Sequence, residues 1–315
     1  MHLIQTLSRS SLLYSSLALL SSQLLACNYE NNAANDKKVV NEQKQADTTI
    51  LKEDTLIAEA ASMHYYAWPL KGNDSAKKAL KERFSAEELY TIWALNRVDA
   101  KNYTRADTLI IPEKLDPNFL VYSPFPQQMP ILKEVRKIVF FSYPIQAYGV
   151  YEQGTLVKWG PTSMGSKTSK TPTGLSFTNW KSKKAISTVK SEWILPWNFN
   201  IRNKEGVGWH QYDLPGYPAS HSCLRLLEAD AQWLYSWADQ WILKDNNTLL
   251  AQGTPVIVFG DYPWGSRRPW KELLDDSNAN NITQEMLKKE VAPFIDKILE
   301  AQSQRDQVMQ ERTIP

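Results

Sequence analysis

Trp209-His210-Gln211-Tyr212-Asp213-Leu214-Pro215-Gly216-Tyr217-Pro218-Ala219-Ser220-His221-Ser222-Cys223-Leu224-Arg225-Leu226 is the most informative stretch of this 315-residue chain. The chain has two cysteines and four histidines, and two of those histidines fall within thirteen residues of Cys223. A thiol is a poor nucleophile until it loses its proton, and a neighbouring imidazole is the common means of removing it. Between the histidines lies Leu214-Pro215-Gly216-Tyr217-Pro218, a proline- and glycine-rich segment able to fold back and bring His210 to the sulfur.

The other cysteine, Cys27, ends a different kind of segment. Residues 1–26 carry Arg9 and then a serine-broken apolar stretch from Leu12 to Leu25, too short to span a bilayer and suited to a signal peptide. Its end, Leu24-Leu25-Ala26-Cys27, resembles the lipobox of bacterial lipoproteins. That resemblance implies cleavage before Cys27, lipidation of its thiol, and a body anchored to a membrane without crossing it. Residues 27–60 are rich in Asn, Lys, Glu, Gln and Asp and read as a flexible tether. With Cys27 lipidated, Cys223 has no intramolecular disulfide partner. A lone thiol in an exported protein points to a chemical task, against the alternative of an inert, buried cysteine. Metal chemistry is disfavoured: His221 and Cys223 are only two residues apart, and no second cysteine or clustered carboxylate accompanies them. No metal and no cofactor is expected.

Ser220-His221-Ser222-Cys223-Leu224-Arg225 resembles the Ser-His-Gly-Cys-(Ile/Val)-Arg signature of the L,D-transpeptidases, and the run from His210 resembles one branch of that family. The resemblance implies that Cys223 is the nucleophile and His210 its base. It implies that His221 lines the site, and that Arg225 orients the loop or meets a substrate carboxylate. Ser220 and Ser222 belong to the same substrate and oxyanion loop, where backbone N–H groups near Cys223 would stabilise a tetrahedral oxyanion. The substrate class implied is the peptide stems of peptidoglycan. Ser222 departs from the family's glycine, a strained choice if the position needs positive φ. Gln211 departs from a small residue. A papain-like peptidase is disfavoured, because its nucleophile would precede its histidine in the chain. A peptidoglycan-binding lipoprotein with a decayed site remains the rival from another class.

Around this run the sequence reads as mainly β. The catalytic domain is assigned to residues 116–265, with its body at 136–262. Ile138-Val139-Phe140-Phe141 is a buried strand, Ala147–Glu152 and Thr155–Trp159 flank Gly154 as a hairpin, and Pro255–Phe259 is a short last strand. Ser163-Met164-Gly165 and Thr171-Pro172-Thr173-Gly174 resemble two further family positions. Apolar residues at helical spacing predict one helix over about 228–241, whose dipole would favour the thiolate if the Cys223 loop fed its N-terminus. The resemblance implies a sandwich-like L,D-transpeptidase catalytic fold.

Residues 61–115 have another texture and read as a small α/β N-terminal module. Ser85 and Glu88 form a capping box. Leu95-Asn96-Arg97-Val98 followed by Ala106-Asp107-Thr108-Leu109-Ile110-Ile111-Pro112 resembles the second half of a lysin motif, which implies contact with glycan strands; a purely structural cap is the alternative. Residues 266–315 read as a charged helical tail with a helix over Met286–Ile298, fraying beyond Ser303, and with Arg267 and Arg268 as solvated surface. A net charge of +2 from 36 basic and 34 acidic residues gives no support for a nucleic-acid binder. The 12 tryptophans and 14 tyrosines are read as packing first and groove lining second. The expected location is the periplasmic side of a membrane, the outer one favoured because Asn28 does not resemble an inner-membrane retention signal.

Overall fold

The computed structural model describes residues 63–187 and 191–313; the expected leader, Cys27 and the tether lie outside them. Among the described residues no helix is long and apolar enough to cross a membrane. The fold is mainly β, with several sheets and few helices.

The chain opens with β1 (Tyr65–Pro69), α1 (Asp74–Arg83), α2 (Ala86–Asn96) and β2 (Thr108–Pro112), and β1 pairs antiparallel with β2. Ser85 starts α2: its side chain accepts from the Glu88 N–H, and Glu88 Oε2 accepts from the Ser85 N–H at 2.8 Å. Helix α2 has two buried sides. Ile92 and Trp93 join a cluster with Leu80, Leu109 and Ile111, while Ala94 and Leu95 face the main core. Asn96 ties the helix to β2, donating to the Ile92 and Ile110 carbonyls and accepting from the Ile110 N–H, each at 2.8 Å. Ala106 has a φ of −77°, so a glycine is not required there.

Two larger sheets follow. One has the order β5 (Thr155–Pro161), β4 (Ala147–Glu152), β3 (Ile138–Ser142), β13 (Pro255–Phe259), β6 (Gly174–Phe177). Its centre is β3, which explains the unbroken apolar run Ile138–Phe141: a strand covered on both faces has no use for alternation. The β4–β5 hairpin turns on Gln153 and Gly154, both at positive φ (46° and 81°), the conformation a two-residue primed turn needs. The second sheet has the order β10 (Leu224–Leu226), β9 (Val207–Gln211), β8 (Ile194–Arg202), β7 (Lys181–Ile186), with β9 and β10 parallel. Trp209 of β9 joins the sheets, its ring stacked 6.1 Å from Phe141 and edge-on to Phe199 at 5.3 Å.

Helix α3 (Glu228–Trp237) packs on β8 and β9. It stops short of the expected residue 241. Asp239 is captured instead by two threonines: its N–H donates to Thr254 Oγ1 at 2.9 Å, and Thr178 Oγ1 donates to its carbonyl at 2.5 Å. A short pair, β11 (Ile242–Leu243) and β12 (Leu249–Ala251), leads to β13.

The C-terminal segment is bound to the body. The expected helix over 286–298 is two helices, α4 (Gln284–Val291) and α5 (Ile295–Thr313), interrupted at Ala292–Phe294, where Pro293 lacks an N–H. Leu287, Val291 and Ile298 belong to the main core. The expected fraying beyond Ser303 is not met. Helix α5 runs to Thr313, with Arg305 donating to the Gln240 and Gln252 carbonyls at 2.9 Å and Arg312 to the Leu243 carbonyl at 2.8 Å.

Candidate active site

Strands β9 and β10 build the site. His210 lies in β9, opposite Arg225 of β10, and Cys223 immediately precedes β10. The loop that the sequence predicted to fold back does so, because its two ends are adjacent parallel strands. Cys223, His210, Arg225, Ser220 and His221 line one shallow cleft with Trp193, Leu195 and Tyr212. A larger hollow lies elsewhere, between Ser85–Thr91 and Leu115–Phe119, and has no cysteine or histidine in its lining. Of these two hollows, only the smaller is lined by a cysteine and histidines.

His210 is only 4 % exposed. Its Nδ1 lies 2.9 Å from the Gln211 carbonyl oxygen, which accepts only, so Nδ1 carries the proton and Nε2 is the free base. Burial lowers its pKa to about 4; the Gln211 carbonyl acts in the opposite direction, and the Arg225 charge lowers it further. Cys223 is a free, half-buried cysteine whose thiol donates weakly to the Gly206 carbonyl at 4.0 Å. Burial pushes its pKa up, while a backbone hydrogen bond at Gly208 and the Arg225 charge pull it down. Arg225 stacks over the Tyr212 ring at 4.6 Å and donates to the Asp213 carbonyl at 3.4 Å. The ring of exposed His221 lies 5.4 Å from Trp193.

Helix α3 does not contribute as expected. Strand β10 stands between Cys223 and the first residue of α3, so the thiol is not at that helix N-terminus.

The two weaker motifs converge on the Cys223 loop. The Ser163 N–H and carbonyl partner Arg225, and Ser220 bridges Met164 and Ser166 through its backbone. Gly165 passes so close to the next turn that a Cβ there would lie 2.2 Å from the Ser169 carbonyl oxygen. Its N–H donates to Thr171 Oγ1 at 2.9 Å, and the same hydroxyl donates to the Ser222 carbonyl at 2.9 Å. Ser220 Oγ donates to the Cys223 carbonyl at 2.5 Å, which makes it a brace of the turn. Ser222 has a φ of +81°, the conformation that suits glycine, and its hydroxyl donates to the Ser169 carbonyl at 3.2 Å.

Several participants were not read from the sequence. Trp193 and Tyr212 line the cleft. Asp99 and Arg268 hold the loop between His210 and Cys223 from outside, Arg268 over the Tyr217 ring at 5.5 Å. Arg268 was expected to be plain surface. Tyr212 stands inside the quoted run but carries no pattern that marks it as cleft lining, whereas Trp193, Asp99 and Arg268 arrive only through folding of segments outside that run. Among the described residues no group of three or more His, Cys, Asp and Glu side chains lies close enough to hold a metal ion.

Residues 136–258 match the family model of the YkuD L,D-transpeptidase catalytic domain. Among solved structures, an L,D-transpeptidase (Yku) from Stackebrandtia nassauensis is 26 % identical over 40 % of this chain and 57 % of its own, with a TM-score of 0.33. An L,D-transpeptidase from Mycobacterium tuberculosis H37Rv is 23 % identical over 40 % of this chain and 58 % of its own, with a TM-score of 0.31. One from Mycobacterium smegmatis is 18 % identical over 40 % and 59 %, with a TM-score of 0.32. This chain thus spans under two thirds of the length of each. No curated protein matches the sequence.

Proposed function

We propose that this protein is an L,D-transpeptidase that transfers acyl groups of peptidoglycan stem peptides through a thioester on Cys223. The observation that carries the reading is the single cleft holding a half-buried thiol, a buried neutral imidazole with Nε2 free, and a guanidinium. The family match over residues 136–258 supports it.

Cys223 Sγ attacks the carbonyl between an L-configured diamino acid centre and a terminal D-Ala. The thiol proton passes to His210 Nε2, and backbone N–H groups beside Cys223 meet the oxyanion. Collapse of the tetrahedral intermediate breaks the amide, and His210 returns the proton to the departing amine. An acceptor amine then attacks the thioester, giving up a proton to His210 and releasing the thiolate, which takes that proton back. A stem-peptide amine gives a cross-link, water gives carboxypeptidase activity, and an amine of a protein gives anchoring. Arg225 fits a substrate carboxylate, and the neighbouring rings of His221 and Trp193 line the same cleft.

The leader, Cys27 and residues 27–60 complete the reading as a lipid anchor and tether on the periplasmic side, with the outer membrane preferred. The β1-α1-α2-β2 order and the Asn96 tie support a lysin-motif-like module that contacts glycan strands.

The strained Ser222 favours one second reading, a decayed enzyme that only binds the wall. Mass analysis of peptidoglycan fragments after incubation with the protein and with Cys223→Ala separates the two. Cross-linked dimers or tripeptide stems made only by the unmutated protein support the enzyme. Unchanged fragments with both proteins, each still sedimenting with the wall, support the binder.

A further inference from the structure

The segment that carries the chain from His210 to Cys223 is fastened at Leu214 and Pro215 by the N-terminal module. Both backbone polar groups of Leu214 go to one residue. The Leu214 N–H donates to Asp99 Oδ2 at 2.6 Å, and the Leu214 carbonyl accepts from the Asp99 N–H at 3.1 Å. Next to them Val98 forms a β-bridge with Pro215, and Val98 and Leu214 are both buried. The loop lies so flat on the module that a Cβ on Gly216 would come within 3.1 Å of Val98 Cγ1.

Asp99 cannot swing freely. Its Oδ1 accepts from the Lys101 N–H at 2.7 Å and the Asn102 N–H at 2.8 Å, and Asn102 Nδ2 reaches both carboxylate oxygens. One oxygen therefore shapes the turn after α2, and the other holds the catalytic loop. From Leu214 the constraint passes to the cleft in one step: the neighbouring Asp213 carbonyl accepts from Arg225, whose guanidinium lies over Tyr212.

We infer that Asp99 is a positioning residue, and that the β1-α1-α2-β2 module acts as a clamp on the loop joining His210 to Cys223. The inference rests on the proposed function in naming these two residues as base and nucleophile. Its physical content is that a well-fastened loop holds the reacting groups in one arrangement. A small displacement from a remote change is enough to cost much of the rate.

The test uses the full chain with Asp99→Asn and Asp99→Ala. In Asp99→Asn the amide oxygen can still serve the Lys101 and Asn102 N–H groups. Its NH2 then faces the Leu214 N–H, donor against donor, while Asn102 Nδ2 loses one of its two oxygens and keeps the other, so the turn survives and the clamp opens. Three quantities are read: the thermal midpoint, the rate of Cys223 carbamidomethylation by iodoacetamide across pH, and kcat and KM on a tetrapeptide stem. The expected result for Asp99→Asn is a folded protein whose kcat falls between about ten- and a hundredfold while KM stays within about twofold. Its alkylation–pH curve moves to lower pH, as the opened loop lets water reach the thiol. Asp99→Ala behaves likewise if it folds; if it does not, Asp99→Asn decides. An unchanged alkylation curve and unchanged kcat in a folded Asp99→Asn would overturn the clamp. If the unmutated protein turns over no stem peptide, the proposed reaction fails, and the alkylation curve still decides the clamp.

Discussion

Arg225 stands opposite His210 in the parallel β9–β10 ladder, and Cys223 lies two residues before Arg225. Side chains two apart along an extended chain share a face, so strand pairing alone turns thiol, guanidinium and imidazole toward one side. The Arg225 charge then acts on both neighbours, lowering the pKa of His210 and opposing the rise that burial gives the Cys223 thiol.

Burial therefore favours the uncharged form of both His210 and Cys223. The rate of Cys223 alkylation by iodoacetamide should climb with pH through and beyond about 8.5, the ordinary thiol range, with no plateau below it. Arg225→Met removes the favourable charge and should move the climb to higher pH. A fast, pH-independent rate near about pH 6 would reveal a resting thiolate–imidazolium pair and contradict this account.

Buried His210 also makes stability depend on pH. An unfolded histidine titrates near about 6.5, whereas folded His210 titrates at about 4. Between these values the unfolded chain takes up a proton that the folded chain refuses. The contribution is thus fully present above the unfolded value and is lost as pH falls toward the folded one. Going from about pH 7 to about pH 5, this single group should remove about 2 kcal/mol of stability. His210→Gln should lack that component in urea unfolding at the two pH values. Equal losses in both proteins would mean that His210 is not held neutral.

Ser222 tests how much strain the loop carries. Serine at positive φ costs about 1 to 2 kcal/mol; the hydroxyl bond to Ser169 and the lower entropy of an unfolded serine offset most of it. Ser222→Gly should therefore change stability by less than about 1 kcal/mol and keep the activity. Ser222→Val, a branched side chain without that bond, should destabilise by about 2 kcal/mol or more and abolish turnover. A Val variant as stable as the native protein in thermal unfolding would show that the position is not held at positive φ.

Tyr90 joins α2 to β5 and α3 through a fully buried carboxylate. Its hydroxyl donates to Asp230 Oδ1 at 2.7 Å, and Lys158 Nζ lies 2.9 Å from the same oxygen. Tyr90→Phe should cost about 1.5 to 3 kcal/mol, the range for a hydrogen bond to a charged group. Asp230→Ala should cost about 3 to 5 kcal/mol, because it strands the Lys158 charge. A loss below about 0.5 kcal/mol for Tyr90→Phe in denaturant unfolding would mean that this contact is open in solution.

The parts of the site that lie close together in sequence were legible there. Cys223, His210 and Arg225 sit in one run, and their types imply their chemistry. The buried strand Ile138–Phe141, the Gly154 hairpin and the Pro255–Phe259 strand carry strong local signals. Strand β7, Lys-Ser-Lys-Lys-Ala-Ile, does not: it is an edge strand, and its lysines hide the pattern. The Asp99–Leu214 contact joins residues 115 apart, so no spacing could mark it. Helix α5 looked free because its surface is charged. Yet Arg305 and Arg312 use that charge to bond backbone carbonyls of the body.

The central claim is that Cys223 becomes acylated, and intact-protein mass spectrometry tests it most directly. The protein is incubated with a purified tetrapeptide stem, quenched in acid and weighed, beside Cys223→Ala and His210→Gln. The account predicts an added mass equal to the stem peptide less its terminal D-Ala, located on Cys223, absent from Cys223→Ala and slow to form in His210→Gln. An unmodified Cys223 in protein that still releases D-Ala, or an adduct that persists in Cys223→Ala, would contradict it.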